Sequence, residues 1–285
     1  MTTEEPREAI DVLIANGCVI TLDPERRVIE NGAVAVKGER IVAVGDTDAL
    51  QARYRAARTI DARRKAVLPG LIDAHAHAGH AMLRTIGGAD GDAWTAAAET
   101  IYTRASDEAF WEAESHLAAL ERLKAGVTVA IASDGAAPDR GYDMFRHMWQ
   151  CMHYHRRHFR DPDVLPHGKV LEMVTIDAAR ALSIDQEVGS LEAGKLADII
   201  LVDLFRPHMM PMNMPVYRVT CFANAADVCM TMVGGRVLME DRRVLSVDEQ
   251  AVLERVTEVA EATFARSGLR HLLDEPATLW GRSHY

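Results

Sequence analysis

Several features that would place a chain in a particular class are missing from this sequence. No apolar run reaches the ~18 residues that a membrane-spanning helix needs. The acidic start MTTEEPREAI has neither the basic region nor the apolar region of a secretory signal peptide. Lysine and arginine form no run interleaved with aromatics, and a formal net charge of −10 would repel phosphate backbones. The sequence therefore predicts a cytoplasmic protein that binds neither a membrane nor nucleic acid.

Cysteine is also sparse, and its spacing excludes a disulfide scaffold. Cys18, Cys151, Cys221 and Cys229 form no CxxC pair. We therefore expect buried free thiols in a reducing compartment. Apolar residues are plentiful, since they make up 48% of the 285 residues, while 26% are charged. This composition is enough to bury one large core or two smaller ones.

Both ends of the chain have the pattern of β-structure. Near the N-terminus, DVLIANGCVITL is followed by AVAVKGERIVAVG, with a turn at Lys37-Gly38-Glu39-Arg40. Near the C-terminus, ADIILVDL is followed by DVCMTMVGGRVLMEDRRVL, with a turn at Gly234-Gly235. Neither end holds enough strands for a stable sandwich alone. We therefore predict one composite β domain made of residues 1–66 and 188–245, with a C-terminal helical tail at 246–285.

The middle of the chain, residues 67–187, has the order strand, helix, strand, helix that is typical of a parallel α/β unit. The strands are predicted at 67–74 and 127–133. Helices are predicted over 106–125, 141–159 and 169–182. Functional groups in such units gather at the carboxyl ends of the strands.

Candidate ligands stand at those carboxyl ends. The first strand leads into His75-Ala76-His77, and the second, VTVAIASDGA, carries Asp134 at its end. Side chains two residues apart in a strand point the same way. If the first strand continues through His77, both imidazoles therefore lie close enough to bind one metal ion.

Four stretches carry a family resemblance: PGLIDAHAHAGH, SDGAAPDRGYDMFRHM, EMVTIDAARALSI and EVGSLEAGKLADIILVDL. Together they resemble the amidohydrolase superfamily, in the branch of cytosine deaminase, S-adenosylhomocysteine deaminase and triazine hydrolases. The resemblance spans about residues 11–244. It implies an α/β metal-dependent hydrolase fold of the TIM-barrel type, flanked by the composite β-sandwich. It also implies that His75, His77 and Asp134 bind a divalent metal and that Asp134 shuttles a proton.

The implied chemistry follows from these residue types. Neutral imidazoles and a carboxylate suit zinc, which is expected here, or iron, and three protein ligands leave a position open for water. The metal would lower the pKa of that water to about 7. Asp134 would take the proton and deliver it to the leaving nitrogen. The implied function is hydrolysis of a C–N bond in a small nitrogen heterocycle or cyclic amide, by deamination or by ring or amide hydrolysis.

The sequence departs from the family in the length of its middle part. A closed (β/α)8 barrel takes about 250 residues, whereas only roughly 120 lie between the two sandwich halves. By family pattern, AGVTVA resembles the second strand and IASDGA the eighth, so strands three to seven are missing, together with the histidines of the fifth and sixth. The barrel is therefore predicted to be incomplete. The alternative function is a catalytically inactive homologue that acts only as a structural or association module.

The missing strands also predict a homo-oligomer. Two strands cannot close a barrel, so their edges and apolar side chains such as Val127, Val129 and Ile131 are expected to be exposed until a second chain covers them. Light scattering would detect that assembly.

Each candidate residue also has a simpler interpretation. His75 and His77 could be histidines whose rings bond to backbone carbonyls, and Asp134 could cap the turn at Gly135. His80 could line a pocket or pack in a loop. His147, Cys151, His155 and His158 recur at helical spacing, which is expected on a partly exposed structural helix.

Overall fold

The computed structural model of the chain describes residues 7–75, 80–88, 91–130, 141–275 and 279–280. The strands are β1 (Glu8–Ile20), β2 (Val28–Lys37), β3 (Arg40–Asp46), β4 (Tyr54–Asp61), β5 (Lys65–Pro69), β6 (Leu71–Asp73), β7 (Val127–Ala130), β8 (Ile199–Asp203), β9 (Val228–Val233), β10 (Arg236–Glu240) and β11 (Arg243–Val244). The α-helices are α1 (Thr47–Arg53), α2 (Gly91–Thr100), α3 (Glu108–Lys124), α4 (Met144–Phe159), α5 (His167–Met173), α6 (Ile176–Ala181), α7 (Pro215–Cys221) and α8 (Glu249–Ser267), with a π-helical turn at Ile101–Ala105.

Strands from both ends of the chain share one sheet. Its order is β11-β10-β9-β8-β5-β1-β2-β3, and β4 also pairs with β1. The two ends meet at the antiparallel pair of β5 and β8, which is in register from Lys65↔Asp203 to Pro69↔Ile199. The composite β-sandwich domain remains a prediction. The division of the chain at residues 66, 187 and 245 also remains a prediction.

The two predicted hairpin turns are present. β2 and β3 pair up to Lys37↔Arg40, and β9 and β10 pair up to Val233↔Arg236. Between the latter strands Gly234 and Gly235 have φ values of 52° and 74°. Two successive positive φ values match the right-handed twist of the strands and favour glycine.

The main sheet is buried on both faces, as the alternation along β8 shows. Ile200 and Val202 are buried with Phe145 and Met148 of α4, whereas Ile199 and Leu201 are buried in a second cluster. The second cluster includes Val34, Val36, Val67, Met230 and Met232. A strand covered on both faces has no polar side, which explains the continuous apolar run IILV.

β6 and β7 form a separate two-stranded parallel sheet in the described residues. Val127 is only 6% exposed and packs in the same cluster as Leu71 and Ile200, while Val129 packs partly buried beside Ile72. The expectation that these side chains form an exposed apolar face is therefore wrong for Val127 and Val129. Their own chain covers them, and Ile131 lies outside the described residues.

The helix predicted over 169–182 is two helices. α5 ends at Met173 and α6 begins at Ile176. The break arises because the carbonyl of Val174 accepts a hydrogen bond from the backbone N–H of Ile72 at 2.9 Å, and Thr175 has φ −136° and ψ −101°. α6 is thereby held against β6, where Ala178 and Ala179 pack on Ile72.

The chain divides into two compact units. The first comprises Met1–His75, Arg122–Ile131 and Asp143–Ser246, and the second comprises Ala76–Glu121, Ala132–Tyr142 and Val247–Tyr285. The core of the second unit is made of side chains from 82–113 and from α8: Met82, Leu83, Ile86, Ala97, Ala98, Ile101, Phe110, Ala113, Val259 and Phe264. Among the helices in the described ranges, none is both long enough and apolar enough to cross a membrane.

Gly70, which links β5 to β6, provides a test of this packing. A Cβ built at Gly70 would overlap the side chain of Thr128 on β7. We expect Gly70→Ala to lower the free energy of unfolding by ~1–3 kcal/mol, because overpacking a filled core forces its neighbours to move. Chemical denaturation measures the change. Gly45→Ala is the matched control, since its nearest atom is Leu50 Cδ2 at 3.9 Å; equal losses in both variants would contradict the assignment.

Self-association remains a prediction. Exposed aromatic side chains of the first unit support it in place of Val127 and Val129. Trp149, Tyr217 and Phe222 of the first unit are 48%, 39% and 44% exposed. Exposed aromatics of this kind are enriched at protein interfaces. We expect light scattering at micromolar concentration to give at least twice the chain mass of 31.4 kDa, and Trp149→Ser to lower it. A monodisperse monomer would contradict this expectation.

Candidate functional site

The carboxyl ends of β6 and β7 meet at one edge of their small sheet. The strands are parallel, and their last residues, Asp73 and Ala130, pair with each other. In the sequence, His75 follows β6 by two residues, and Asp134 follows β7 by four. The pairing therefore brings the ends of the two strands that precede the predicted ligands to the same edge. His77 and Asp134 themselves lie outside the described residues.

His75 does not belong to a strand. β6 ends at Asp73, and residues 74 and 75 form an exposed bend. The prediction that the strand continues to His75 and His77 is therefore wrong, because β6 ends at Asp73. The alternation of side chains along a strand thus gives no reason to place His75 on the same face as His77. The assignment of His75, His77 and Asp134 as metal ligands stays a prediction.

A buried ion pair marks the end of β6. The Nε atom of Arg122, in the last turn of α3, lies 3.4 Å from Oδ2 of Asp73, and the two side chains are 8% and 14% exposed. Removing one partner from such a pair lowers the stability of the fold, because the other charge stays buried without compensation. The pair therefore fixes the point at which the chain leaves β6 toward His75. Sequence reasoning missed Asp73, although an acidic residue that closes the apolar run LPGLID was a usable signal.

The donor set determines whether a metal is chemically reasonable here. In residues 7–75, 80–88, 91–130, 141–275 and 279–280, no three His, Cys, Asp or Glu side chains are grouped to hold a metal ion. Of the predicted set, that part of the chain contains only His75. Two imidazoles and one carboxylate are ordinary ligands of zinc, so the set as a whole fits a zinc ion.

His80 packs within an aromatic cluster of the second unit. Its ring lies edge-on to Trp94 at 4.7 Å and nearly parallel to Tyr102 at 6.0 Å, measured between centroids. Tyr102 stands on the π-helical turn, a rare conformation that is frequent at functional sites. Burial, followed by the charge of Glu114, raises the pKa of the Tyr102 hydroxyl far above its usual value. Tyr102 therefore stays neutral at physiological pH.

Two family models match the sequence. One, described as amidohydrolase family, matches residues 102–238, and the other, an imidazolonepropionase-like composite domain of bacteria, matches residues 32–57. The first match contains β7 and the segment with Asp134, and the second contains β3 and α1. The sequence is therefore similar to the amidohydrolase family over residues 102–238.

The curated relatives of this chain include proteins named as deaminases. A 5-methylthioadenosine/S-adenosylhomocysteine deaminase of Syntrophobacter fumaroxidans is 38% identical over 138 residues, which are 48% of this chain and 32% of the relative. A 5'-deoxyadenosine deaminase of Methanosarcina mazei is 38% identical over 145 residues, 50% of this chain and 33% of the relative. The alignments thus span about a third of the length of the curated relatives.

Solved structures agree in fold. An adenosine deaminase from Xanthomonas campestris with bound zinc aligns over 91% of this chain and 100% of that one, with a TM-score of 0.83 and 17% identity. At 17% identity, this similarity supports the fold only. Together with the family match, it supports the metal-dependent hydrolase fold that the motifs implied.

The motif GSLEAGKLAD has a structural role. Lys195 Nζ donates to Ser190 Oγ at 2.6 Å and pairs with Glu192 at 3.1 Å, which holds the turn before β8. Asp198, 6% exposed, accepts a hydrogen bond from the backbone N–H of Gly234 at 2.8 Å, and its own carbonyl accepts from Gly70. These contacts of the motif therefore support the turn before β8 and the links from Asp198 to Gly234 and Gly70.

Helix α4 carries His147, Cys151, His155 and His158. This agrees with the interpretation of these residues as part of a partly exposed structural helix. Met148 and Met152 are buried on one face, whereas Tyr154 and Phe159 are exposed. The Nδ1 atom of His155 lies 2.8 Å from the carbonyl oxygen of Cys151, one turn earlier. The pattern is that of an amphipathic helix packed on the sheet.

The buried carboxyl of Asp198 predicts a pH-dependent stability. Burial raises its pKa above the ordinary value of 3.8, although the hydrogen bond from Gly234 acts in the opposite direction. The native state then keeps a proton that the unfolded state has released, so stability falls as pH rises from 3.8 through the native pKa. We expect Asp198→Asn to raise the thermal midpoint relative to wild type more at pH 8 than at pH 3.5. Asp163→Asn, at an exposed site, is the control; equal behaviour of both variants would contradict this.

Proposed function

We propose that this chain is a metal-dependent amidohydrolase that hydrolyses a C–N bond of a nitrogen heterocycle or cyclic amide. The observation that carries the proposal is the parallel pairing of β6 with β7, whose last residues, Asp73 and Ala130, lie side by side. The predicted ligands His75, His77 and Asp134 follow these two strand ends in the sequence. In parallel α/β units, reactive groups stand at such ends.

The residues have distinct tasks in this proposal. His75, His77 and Asp134 hold a divalent metal, with zinc first and iron as the alternative that metal analysis distinguishes. When bound, such a metal supplies Lewis-acid chemistry and activates water at neutral pH. The carboxylate of Asp134 accepts a proton from the attacking water and delivers it to the leaving nitrogen. The Asp73–Arg122 pair keeps the end of β6 in place.

Deamination of a purine nucleoside is the first reaction to test. The curated relatives are named as deaminases of 5-methylthioadenosine, S-adenosylhomocysteine and 5'-deoxyadenosine. These compounds share an adenine ring with an exocyclic amine, which hydrolysis would release as ammonia. Because the alignments span about a third of those relatives, both activity and substrate are proposals for this chain. No comparison favours the alternative of an inactive association module.

Metal content separates the two functions. We expect about one zinc per chain after expression in zinc-supplemented medium, and His77→Ala to lose most of it, since each ligand is one of only three protein donors. Elemental analysis of the purified protein measures both. His116→Ala, at an exposed position of α3, is the matched control and keeps its zinc. A wild-type chain without zinc or iron would overturn the proposed function.

The proton-transfer role of Asp134 has its own test. We expect Asp134→Asn to lower ammonia release from the three nucleosides by about 10²–10⁴-fold, because the amide cannot accept the proton. Zinc content measured on the same samples shows how much of the loss is due to metal. Turnover equal to wild type in Asp134→Asn would exclude this role.

A further inference from the structure

Helix α3 carries a completely buried carboxylate that no part of the proposed chemistry uses. Glu114 is 0% exposed, and its two oxygens accept hydrogen bonds from the backbone N–H groups of Ala81 and Met82 at 2.5 and 2.7 Å. A carboxylate that accepts two amide hydrogen bonds fixes the position and orientation of both peptide groups. Ala81 and Met82 are the fourth and fifth residues after His77.

A second carboxylate lies two turns further along the same face of α3. Glu121 accepts from Arg84 Nη2 at 2.6 Å and from Nη1 at 3.3 Å, and the Nε atom of Arg84 donates back to the carbonyl of Ala81 at 2.9 Å. The same Glu121 accepts a hydrogen bond from the backbone N–H of Tyr142 at 3.3 Å. The Arg84 guanidinium also lies 5.8 Å from the centroid of the Tyr142 ring.

These contacts connect one helix to residues that follow each of the two predicted ligand segments in the sequence. Residues 81–84 continue the chain from His75 and His77, and Tyr142 continues it from Asp134. Residues seven apart in a helix lie on one face, so a single rigid element holds both attachments. Neither carboxylate belongs to the predicted ligand set.

We propose that Glu114 and Glu121 are positioning residues for the predicted metal site: they fix residues 81–84 and Tyr142, which follow His77 and Asp134 in the sequence. This inference rests on the proposed function. The alternative is that both carboxylates only stabilise the fold of the second unit. The two cases differ in one measurable quantity, the affinity of the folded protein for zinc.

Each substitution keeps the shape of the glutamate side chain and removes its negative charge. Glu114→Gln retains one acceptor oxygen but turns an NH₂ group toward one of the two amides, which leaves that amide without an acceptor. Glu121→Gln weakens the pairing with Arg84 at a side chain that is 31% exposed, so this variant folds even if Glu114→Gln does not. Glu112→Gln is the matched control, because Glu112 is exposed on the same helix.

The experiment uses the full chain and a chromogenic chelator that competes for zinc. We expect Glu114→Gln and Glu121→Gln each to weaken zinc binding by about 10–100-fold, as substitutions beside metal ligands commonly do, and Glu112→Gln to bind as wild type. Amide hydrogen exchange of the metal-free protein is the second readout. Exchange at Ala81 and Met82 should be faster in Glu114→Gln than in Glu112→Gln.

The outcomes separate the inference from the proposed function. If the wild type binds zinc and both variants fold and bind zinc with the same affinity as wild type, the positioning role is wrong. The proposed function is unaffected by that result. A wild-type chain that binds no zinc would overturn both. Weaker binding in both variants, with circular dichroism equal to that of Glu112→Gln, supports the positioning role.

Discussion

The antiparallel pairing of β5 with β8 is the interaction on which the first unit depends. It joins the N-terminal strands to the C-terminal strands across more than a hundred residues of sequence, in register from Lys65↔Asp203 to Pro69↔Ile199. Closing such a long loop costs entropy, which the burial of side chains on both faces of the sheet offsets. Because β6 begins two residues after β5 ends, this pairing also determines where the predicted site can form.

Hydrogen bonds and an ion pair between buried groups hold both ends of β6. The backbone N–H of Gly70 donates to the carbonyl of Asp198, and the Asp198 side chain accepts from Gly234. At the other end of β6, Asp73 pairs with Arg122. A buried polar group without a partner is expensive, so these contacts select one position of β6 among the many that apolar packing would tolerate. They stabilise the geometry around the strand ends without supplying reactive atoms.

The similarity to the amidohydrolase family covers part of this chain and part of each curated relative. The curated relatives align over 32–33% of their length, while the adenosine deaminase structure aligns over 91% of this chain. The amidohydrolase family model matches residues 102–238, which contain β7, β8 and β9. If the predicted site stands on two strand ends, it has fewer rigid supports than a site in a barrel of eight strands, and the proposed positioning by the carboxylates of α3 then matters more.

The sequence alone determined the elements whose signals are local. These are the hairpin glycines at 234 and 235, the apolar strand IILV, the Gly-Ser-Leu-Glu motif and the family resemblance, all of which follow from residues close together in the chain. Only the tertiary structure decided that β6 ends at Asp73 and that the helix predicted over 169–182 breaks at Val174 and Thr175. It likewise decided that Val127 is covered by its own chain, and that Glu114 and Glu121 face residues 81–84. The reason is physical: these outcomes depend on partners tens to more than a hundred residues away, and neither periodicity nor spacing within a segment specifies which buried partner it will meet.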